Sequence, residues 1–483
     1  MRVTVCRFGD DRVRVAVIDR SRAMPVVADA GADTEHGRGL ALVDAVSQQW
    51  GYDPFRWGKR VWADVVADDE DSPEGHVPIP RPERSELLPP RSPSRPCCSA
   101  TAGTDRPLGD LMHTLIAAPF LEQHVLVRPG SRGGALLPED RYEELRTVNP
   151  VASTPAWLVA AIREQWDDLD VTGRPVGDFL LVRQPSDWGY GKASYELNLG
   201  CNYDCKHCYL GVKVQSGMAW MDKRRCLDLM AEAGVLFLQV TGGEPTMDRD
   251  FMRAYRYAWD LGMMITVSTN GSLLWRENLL RLFRECPPYR VTVSMYGAAK
   301  RSYDELTQRD GAWDQFVQGM NAARHARLPL RMSIVVTEDN GAEEQAMVDL
   351  CTSWGVEYEV FTNMTPTIYG GGEVLTAQSK EHLRLRKTFT GCNAGHTFFH
   401  MDPHGLVSIC KIGRDDQISL PHEGIEGLAR LGAIADRLML RTGGCSGCAI
   451  SGSCRVCRPL AKHYQEAKAP PAAYCRHGEK KAG

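Results

Sequence analysis

Cys201-Asn-Tyr-Asp-Cys205-Lys-His-Cys208 sets three thiols on one short stretch, three residues and then two residues apart. A loop of that length can wrap three thiolates around a single iron–sulfur cubane. A cubane has about four irons, so three protein thiolates leave one iron open to a bound small molecule. A zinc site completed by His207 is the competing reading, but zinc ligands usually come as close pairs with the second pair farther along the chain. One strand later the sequence reads Thr241-Gly242-Gly243-Glu244-Pro245, where two glycines permit close backbone approach and Glu244 offers a negative partner for an ammonium group.

A second set of cysteines follows: Cys392, Cys410, Cys445, Cys448, Cys454, Cys457 and Cys475. Seven thiolates cannot complete two four-thiolate clusters. A zinc ribbon from Cys445/Cys448 and Cys454/Cys457 is the alternative, yet only five residues separate Cys448 from Cys454, against roughly 15–20 in a ribbon. The chain has 16 cysteines; Cys6, Cys97, Cys98, Cys226, Cys286 and Cys351 stand outside both sets. No run of 18 apolar residues and no apolar leader interrupt the sequence, so a cytoplasmic protein is expected, and thiols there stay reduced. Clustered cysteines in such a chain point to metal or redox chemistry.

Elements that would carry these residues are legible around them. Tyr195–Leu199, Leu236–Val240, Met264–Ser268, Arg290–Ser294, Arg331–Val336 and Tyr358–Thr362 read as six short apolar strands. Between them fall helical spacings such as Cys226, Leu227, Leu229, Met230 and Ala233, or Leu279, Leu280, Leu282 and Phe283. Repeated β-α units with right-handed crossovers place every strand's C-terminal end on one face. There Cys201, Gly242-Gly243-Glu244, Thr269-Asn270-Gly271 and Met295-Tyr296-Gly297 converge.

The 483 residues predict several domains. Residues 66–106, acidic and then rich in Pro, Arg and Ser, read as a disordered linker. The net charge of −4 argues against binding driven by phosphate neutralisation, so nucleic acid is not an expected partner, nor is a membrane.

The three-cysteine loop after the first strand, with Gly-Gly-Glu-Pro after the second, resembles radical S-adenosylmethionine (SAM) enzymes over residues 191–375. The resemblance implies a [4Fe-4S] cluster on Cys201, Cys205 and Cys208 whose open iron binds SAM, reductive cleavage to a 5′-deoxyadenosyl radical, and hydrogen abstraction from a substrate. It further implies that Gly242, Gly243 and Glu244 hold the methionyl part, that Ser268 and Asn270 lie near the ribose, and that His207 lies near the adenine. No residue is nominated as a catalytic base.

Residues 376–483 resemble the SPASM extension of peptide-maturing members, which implies one or two auxiliary [4Fe-4S] clusters. By that match Cys392, Cys410 and Cys457 serve the nearer cluster, and Cys445, Cys448, Cys454 and Cys475 the farther. With no fourth cysteine, the nearer cluster has an open iron, a non-cysteine ligand or a smaller nuclearity. Residues 1–65 are similar to half of a GHKL-type (anti-sigma kinase) ATP-binding fold, with a helical pattern running to Trp50. Residues 107–190, with a strand at Glu122–Val127 and a helix at Ala156–Trp166, read as a capping segment or a small peptide-recognition module.

The expectation is an α/β chain: a partial (β/α)6 TIM-like barrel, a Cys-rich C-terminal iron–sulfur domain and a small α+β N-terminal unit. The expected activity is an iron–sulfur oxidoreductase acting on a peptide or protein side chain, most plainly maturation of a ribosomally made peptide, with a reduced ferredoxin- or flavodoxin-type electron donor. Competing readings are a sulfatase-maturating enzyme that forms formylglycine, a small-molecule biosynthetic enzyme and, from another class, a redox-sensing regulatory protein.

Overall fold

The computed structural model describes residues 2–8, 12–19, 40, 43, 47–55, 58–66, 113–211, 213–362, 364–365, 394–439, 457–466 and 475. By its contacts the chain divides into two units, Met1–Ala100 and Thr101–Gly483.

In the first unit β1 (Arg2–Phe8), β2 (Arg12–Asp19), β3 (Gln49–Phe55) and β4 (Gly58–Val66) form an antiparallel sheet in the order β1-β2-β4-β3. Basic and apolar residues alternate along Arg12–Val15, the period-two pattern of a strand with one covered face. Leu40 and Val43 are helical, but the helical pattern stops short of Trp50, which pairs with Ala63 in the sheet. The expected linker beyond Val66 lies outside the described residues.

The second unit opens with β5 (Leu115–Phe120), β6 (Gln123–Val127), β7 (Gly134–Leu137) and β8 (Leu180–Val182), in the order β7-β6-β5-β8. Helices α1 (Glu139–Thr147) and α2 (Ala156–Gln165) pack on one face of it, where Leu115, Ala117, Tyr142, Leu145, Leu158 and Ile162 form a core. The alternate residues of β5, Ile116 and Ala118, turn the other way onto Leu236 and Met264 at the start of the barrel strands. A strand buried on both faces thus joins the two layers. Arg183 reinforces the joint, donating to the Val235 carbonyl at 2.7 Å and the Ala231 carbonyl at 3.1 Å.

The barrel sheet contains β9 (Lys192–Glu196), β10 (Phe237–Thr241), β11 (Met264–Thr269), β12 (Arg290–Met295), β13 (Leu330–Val335) and β14 (Glu357–Phe361), all parallel and in sequence order. The crossovers carry α3 (Trp220–Glu232), α4 (Phe251–Asp260), α5 (Glu277–Glu285), α6 (Lys300–Thr307), α7 (Ala312–His325) and α8 (Glu344–Ser353). Val240, Val267, Val291, Val293, Met332 and Ile334 are buried in a common core with Cys226, Met230, Leu282, Phe316, Met320 and Cys351 of the helices. Along β12 and β13 the alternate residues Arg290, Thr292, Ser294, Arg331 and Ser333 are only half-buried and polar. One face of this sheet is therefore kept polar and accessible, unlike the filled interior of a closed eight-stranded barrel.

The sheet does not stop at β9. Strand β15 (Phe398–Met401) joins β9 in parallel, and β16 (Leu406–Ser408) and β17 (Ile418–Ser419) continue it antiparallel. The segment carrying Cys410 is thereby built into the barrel's own edge.

Candidate active site

Strand β9 ends at Glu196, three residues earlier than its apolar run suggests, because Leu197–Gly200 leaves the ladder to pack on the glycine loop after β10. Gly243 N–H donates to the Asn198 carbonyl at 2.9 Å and Glu244 N–H to the Gly200 carbonyl at 2.8 Å. A Cβ on Gly242 would lie 2.4 Å from the Asn198 oxygen, and one on Gly243 2.2 Å from the Gly200 oxygen. Both glycines are required by this backbone contact itself. Only at φ +146°, which an L side chain rarely adopts, does Gly242 complete it.

Glu244 is fully buried, and its carboxylate draws two loops together. Oε1 accepts from Thr246 N at 3.1 Å, Thr246 Oγ1 at 2.5 Å and Thr269 Oγ1 at 2.8 Å, while Oε2 accepts from Asn270 N at 2.7 Å. Burial nonetheless pushes its carboxyl above the ordinary value. Just beyond, buried Lys223 of α3 reaches Asp248 at 2.7 Å and Asp250 at 3.2 Å, which fixes the loop to the helix layer.

The cysteine loop is strapped from two sides. Asp204 N–H and Lys206 N–H donate to the Thr307 and Leu306 carbonyls at the end of α6, at 2.9 and 3.2 Å. Asn270 Nδ2 donates to Asn202 Oδ1 at 2.8 Å and lies 3.8 Å from Cys201 Sγ, while its Oδ1 accepts from Ser272 Oγ at 2.6 Å. The residue expected near a ribose is thus engaged with the thiolate loop. Ser268 accepts from Gln239 Nε2 at 2.7 Å on the accessible sheet face. His207 packs its ring 5.2 Å from that of Tyr296, and burial lowers its pKa to about 4, so it is neutral with Nδ1 left without a partner among the described residues.

Cys201, Cys205 and Cys208 are each half-buried. Burial raises Cys201 to about 11 and pushes Cys205 up as well; Glu244 and Cys208 raise Cys201 again, and Cys208 and Cys201 raise Cys205, so the three thiols lie within electrostatic reach of one another. Thiols that burial holds protonated, as it does Cys201 and Cys205, ionise readily only on a metal. Among the described residues no three His, Cys, Asp or Glu side chains are gathered as one metal ion requires. Tyr203 N–H, 3.4 Å from Cys201 Sγ, and Asn270 Nδ2 are donors of the kind that tune cluster sulfurs. This donor set fits a cluster on the three cysteines.

A radical SAM superfamily model matches residues 195–351. The barrel is a radical SAM domain. The chain is an enzyme, and the superfamily that residues 195–351 match implies a [4Fe-4S] cluster and SAM. It is 26% identical to the AdoMet-dependent heme synthase of Oleidesulfovibrio alaskensis over 39% of this chain and 50% of that protein. It is also 25% identical to the mycofactocin maturase MftC of Mycobacterium tuberculosis, over 54% of this chain and 76% of that one. The chain spans about half the length of the heme synthases it matches. Among solved structures, Streptococcus suis SuiB bound to S-adenosylmethionine covers 58% of this chain and 76% of its own at 15% identity, with a TM-score of 0.45.

Of the second cysteine set, Cys410, Cys457 and Cys475 are described and half-buried; Cys392, Cys445, Cys448 and Cys454 lie outside the described residues. Gly413 N–H donates to Cys410 Sγ at 3.1 Å. Cys457 immediately precedes helix Arg458–Glu466.

Beside the radical SAM site lies a polar cluster that the sequence reading missed. Ser194 Oγ is 2.8 Å from His400 Nδ1, and Glu196 Oε1 accepts from Arg414 Nη2 and from Tyr209 Oη at 2.8 Å each. Burial works against ionising Glu196, but His400 and Arg414 outweigh it and hold the carboxyl well below the ordinary range. The available signal was a charged residue inside a run that otherwise reads as buried strand, and Lys411 and Arg414 just after Cys410.

Proposed function

We propose that this enzyme reductively cleaves S-adenosylmethionine and abstracts hydrogen from a peptide or protein side chain, in the maturation of a ribosomally made peptide. The observation that carries the reading is the joining of the Cys201–Cys208 loop to Gly242-Gly243-Glu244 through Asn198 and Gly200, at the C-terminal ends of adjacent parallel strands within a radical SAM match. A [4Fe-4S] cluster with SAM supplies, when bound, the electron and the adenosyl group from which hydrogen abstraction follows. Cys201, Cys205 and Cys208 would hold the cluster, with Gly242, Gly243 and Glu244 shaping the methionyl seat and Ser268, Asn270 and His207 around the nucleoside.

Peptide as the substrate class is supported by the maturase among the relatives and by strand β7, which is the edge of its sheet among the described residues and carries Leu136 at 66% exposure. An extended peptide can add to such an edge through main-chain hydrogen bonds. Auxiliary iron–sulfur clusters on the second cysteine set would accept the electron released when the substrate radical is oxidised, and a ferredoxin- or flavodoxin-type protein would reduce the enzyme. The heme synthases among the relatives favour a small-molecule substrate as the second reading.

The deciding test is anaerobic incubation of the reconstituted, reduced chain with SAM and peptides encoded beside its gene. 5′-Deoxyadenosine above the peptide-free rate and a mass change on a peptide are expected; turnover with small molecules alone would favour the second reading.

A further inference from the structure

Glu196 is fully buried, and its two oxygens are treated unequally. Oε1 serves Arg414, Tyr209 and, at 3.5 Å, His400 Nε2, whereas Oε2 has no hydrogen-bond donor among the described residues. Lys411 joins the same cluster from the segment after β16. Among the described residues its Nζ finds only a neutral partner, Thr241 Oγ1 at 3.4 Å, with the Tyr209 ring centroid 5.9 Å away. The acidic group acting on it is Glu196, already paired with Arg414. Glu196 thus faces both cations. A half-buried ammonium that meets a hydroxyl and a ring face among the described residues gains from an anion that completes it. Thr241 directly precedes Gly242, so this incomplete cluster lies beside the strand ends that carry the glycine and cysteine loops.

We propose that Lys411 and Glu196 form a ligand seat for a carboxylate next to an N–H group, with the carboxylate on Lys411 Nζ and the N–H on Glu196 Oε2. The seat rests on the radical SAM reading proposed above. Two sources offer that chemistry: the methionyl end of SAM and an acidic residue of a peptide substrate.

Equilibrium binding to the anaerobically reconstituted full chain distinguishes them. One pair of probes is SAM and its decarboxylated analogue; the other is two randomised peptide pools that differ only in Asp/Glu against Asn/Gln. A charged hydrogen bond in such a pocket predicts that the wild type prefers the carboxylate member of one pair by roughly tenfold or more. Lys411→Met should erase that preference and Lys411→Arg retain it. Preference within the first pair assigns the seat to the cofactor, and within the second to the substrate. No preference in either pair, or a Lys411→Met chain that discriminates as the wild type does, overturns the seat. Should Lys411→Met fail to fold, the wild-type comparison still decides. Peptide-free 5′-deoxyadenosine formation by the wild type is scored separately: its presence without any preference refutes the seat alone, and its absence refutes the radical reading.

Discussion

A single added methyl group separates a working loop from an impossible one at Gly243. The Gly200 carbonyl lies 2.2 Å from where its Cβ would be, and that oxygen is backbone, so it cannot swing away. Gly243→Ala should open the joint between the glycine and cysteine loops, with loss of about four irons per chain, one cubane, and of SAM cleavage. Iron analysis and 5′-deoxyadenosine assay check it. Glu196 makes a different demand. Glu196→Gln leaves Arg414 buried without its counter-charge, a change that costs about 3–5 kcal/mol. The native carboxyl titrates well below the ordinary value of 4.5, so its stabilisation is present in full above that pH and is lost as pH falls through the lower folded value. The deficit of the variant in chemical denaturation should therefore be largest near neutrality and shrink in acid. The thiols and glycines were legible because their types and spacing are local facts. The roles of Asn270 and Glu196 were not, since their partners lie across loops and, for Glu196, some two hundred residues away in sequence.

Among the elements, the six parallel strands were readable because each is a short apolar run bounded by turn residues. Strands β15 to β17 escaped because they are two to four residues long and gain their identity only by pairing on β9. The segment before the barrel shows how elements are tied together. His113 stacks on Trp259 of α4 with centroids 3.9 Å apart, its Nε2 without a partner among the described residues, and burial lowers its pKa to about 4. The unfolded chain binds a proton near 6.5 that the folded chain refuses until about 4, so stability rises with pH across that window. The shift corresponds to about 3 kcal/mol. His113→Phe should flatten that part of the stability profile, as urea midpoints measured from pH 4 to 7 would show; an unchanged slope would mean that other histidines carry it. At the edge of the same segment, Leu136→Asp on β7 should weaken peptide binding by roughly tenfold if that edge receives substrate, with little effect on folding because the position is exposed. Fluorescence anisotropy with a labelled peptide would read it.

At the scale of the whole molecule, the strand leading into the first cysteine loop and the strand leading to Cys410 belong to one sheet. Cys410 follows β16, which is joined through β15 to β9, the strand that leads into Cys201. The Glu196–Arg414 pair crosses the same boundary. Such a layout would hold a cluster on the first cysteine loop and one that includes Cys410, as proposed above, at a fixed separation within one sheet. The length predicts several domains, but which segments fold into one sheet is set by long-range pairing that no local pattern encodes. The account stands or falls on the three-cysteine loop. Its most direct test is 5′-deoxyadenosine formation from SAM by the anaerobically reconstituted, dithionite-reduced chain, compared with the Cys201→Ala, Cys205→Ala, Cys208→Ala triple variant and with iron counted in both. The wild type should form the product while the variant forms none yet keeps the iron of the second cysteine set. A wild type that binds zinc in place of iron and yields no 5′-deoxyadenosine would contradict it.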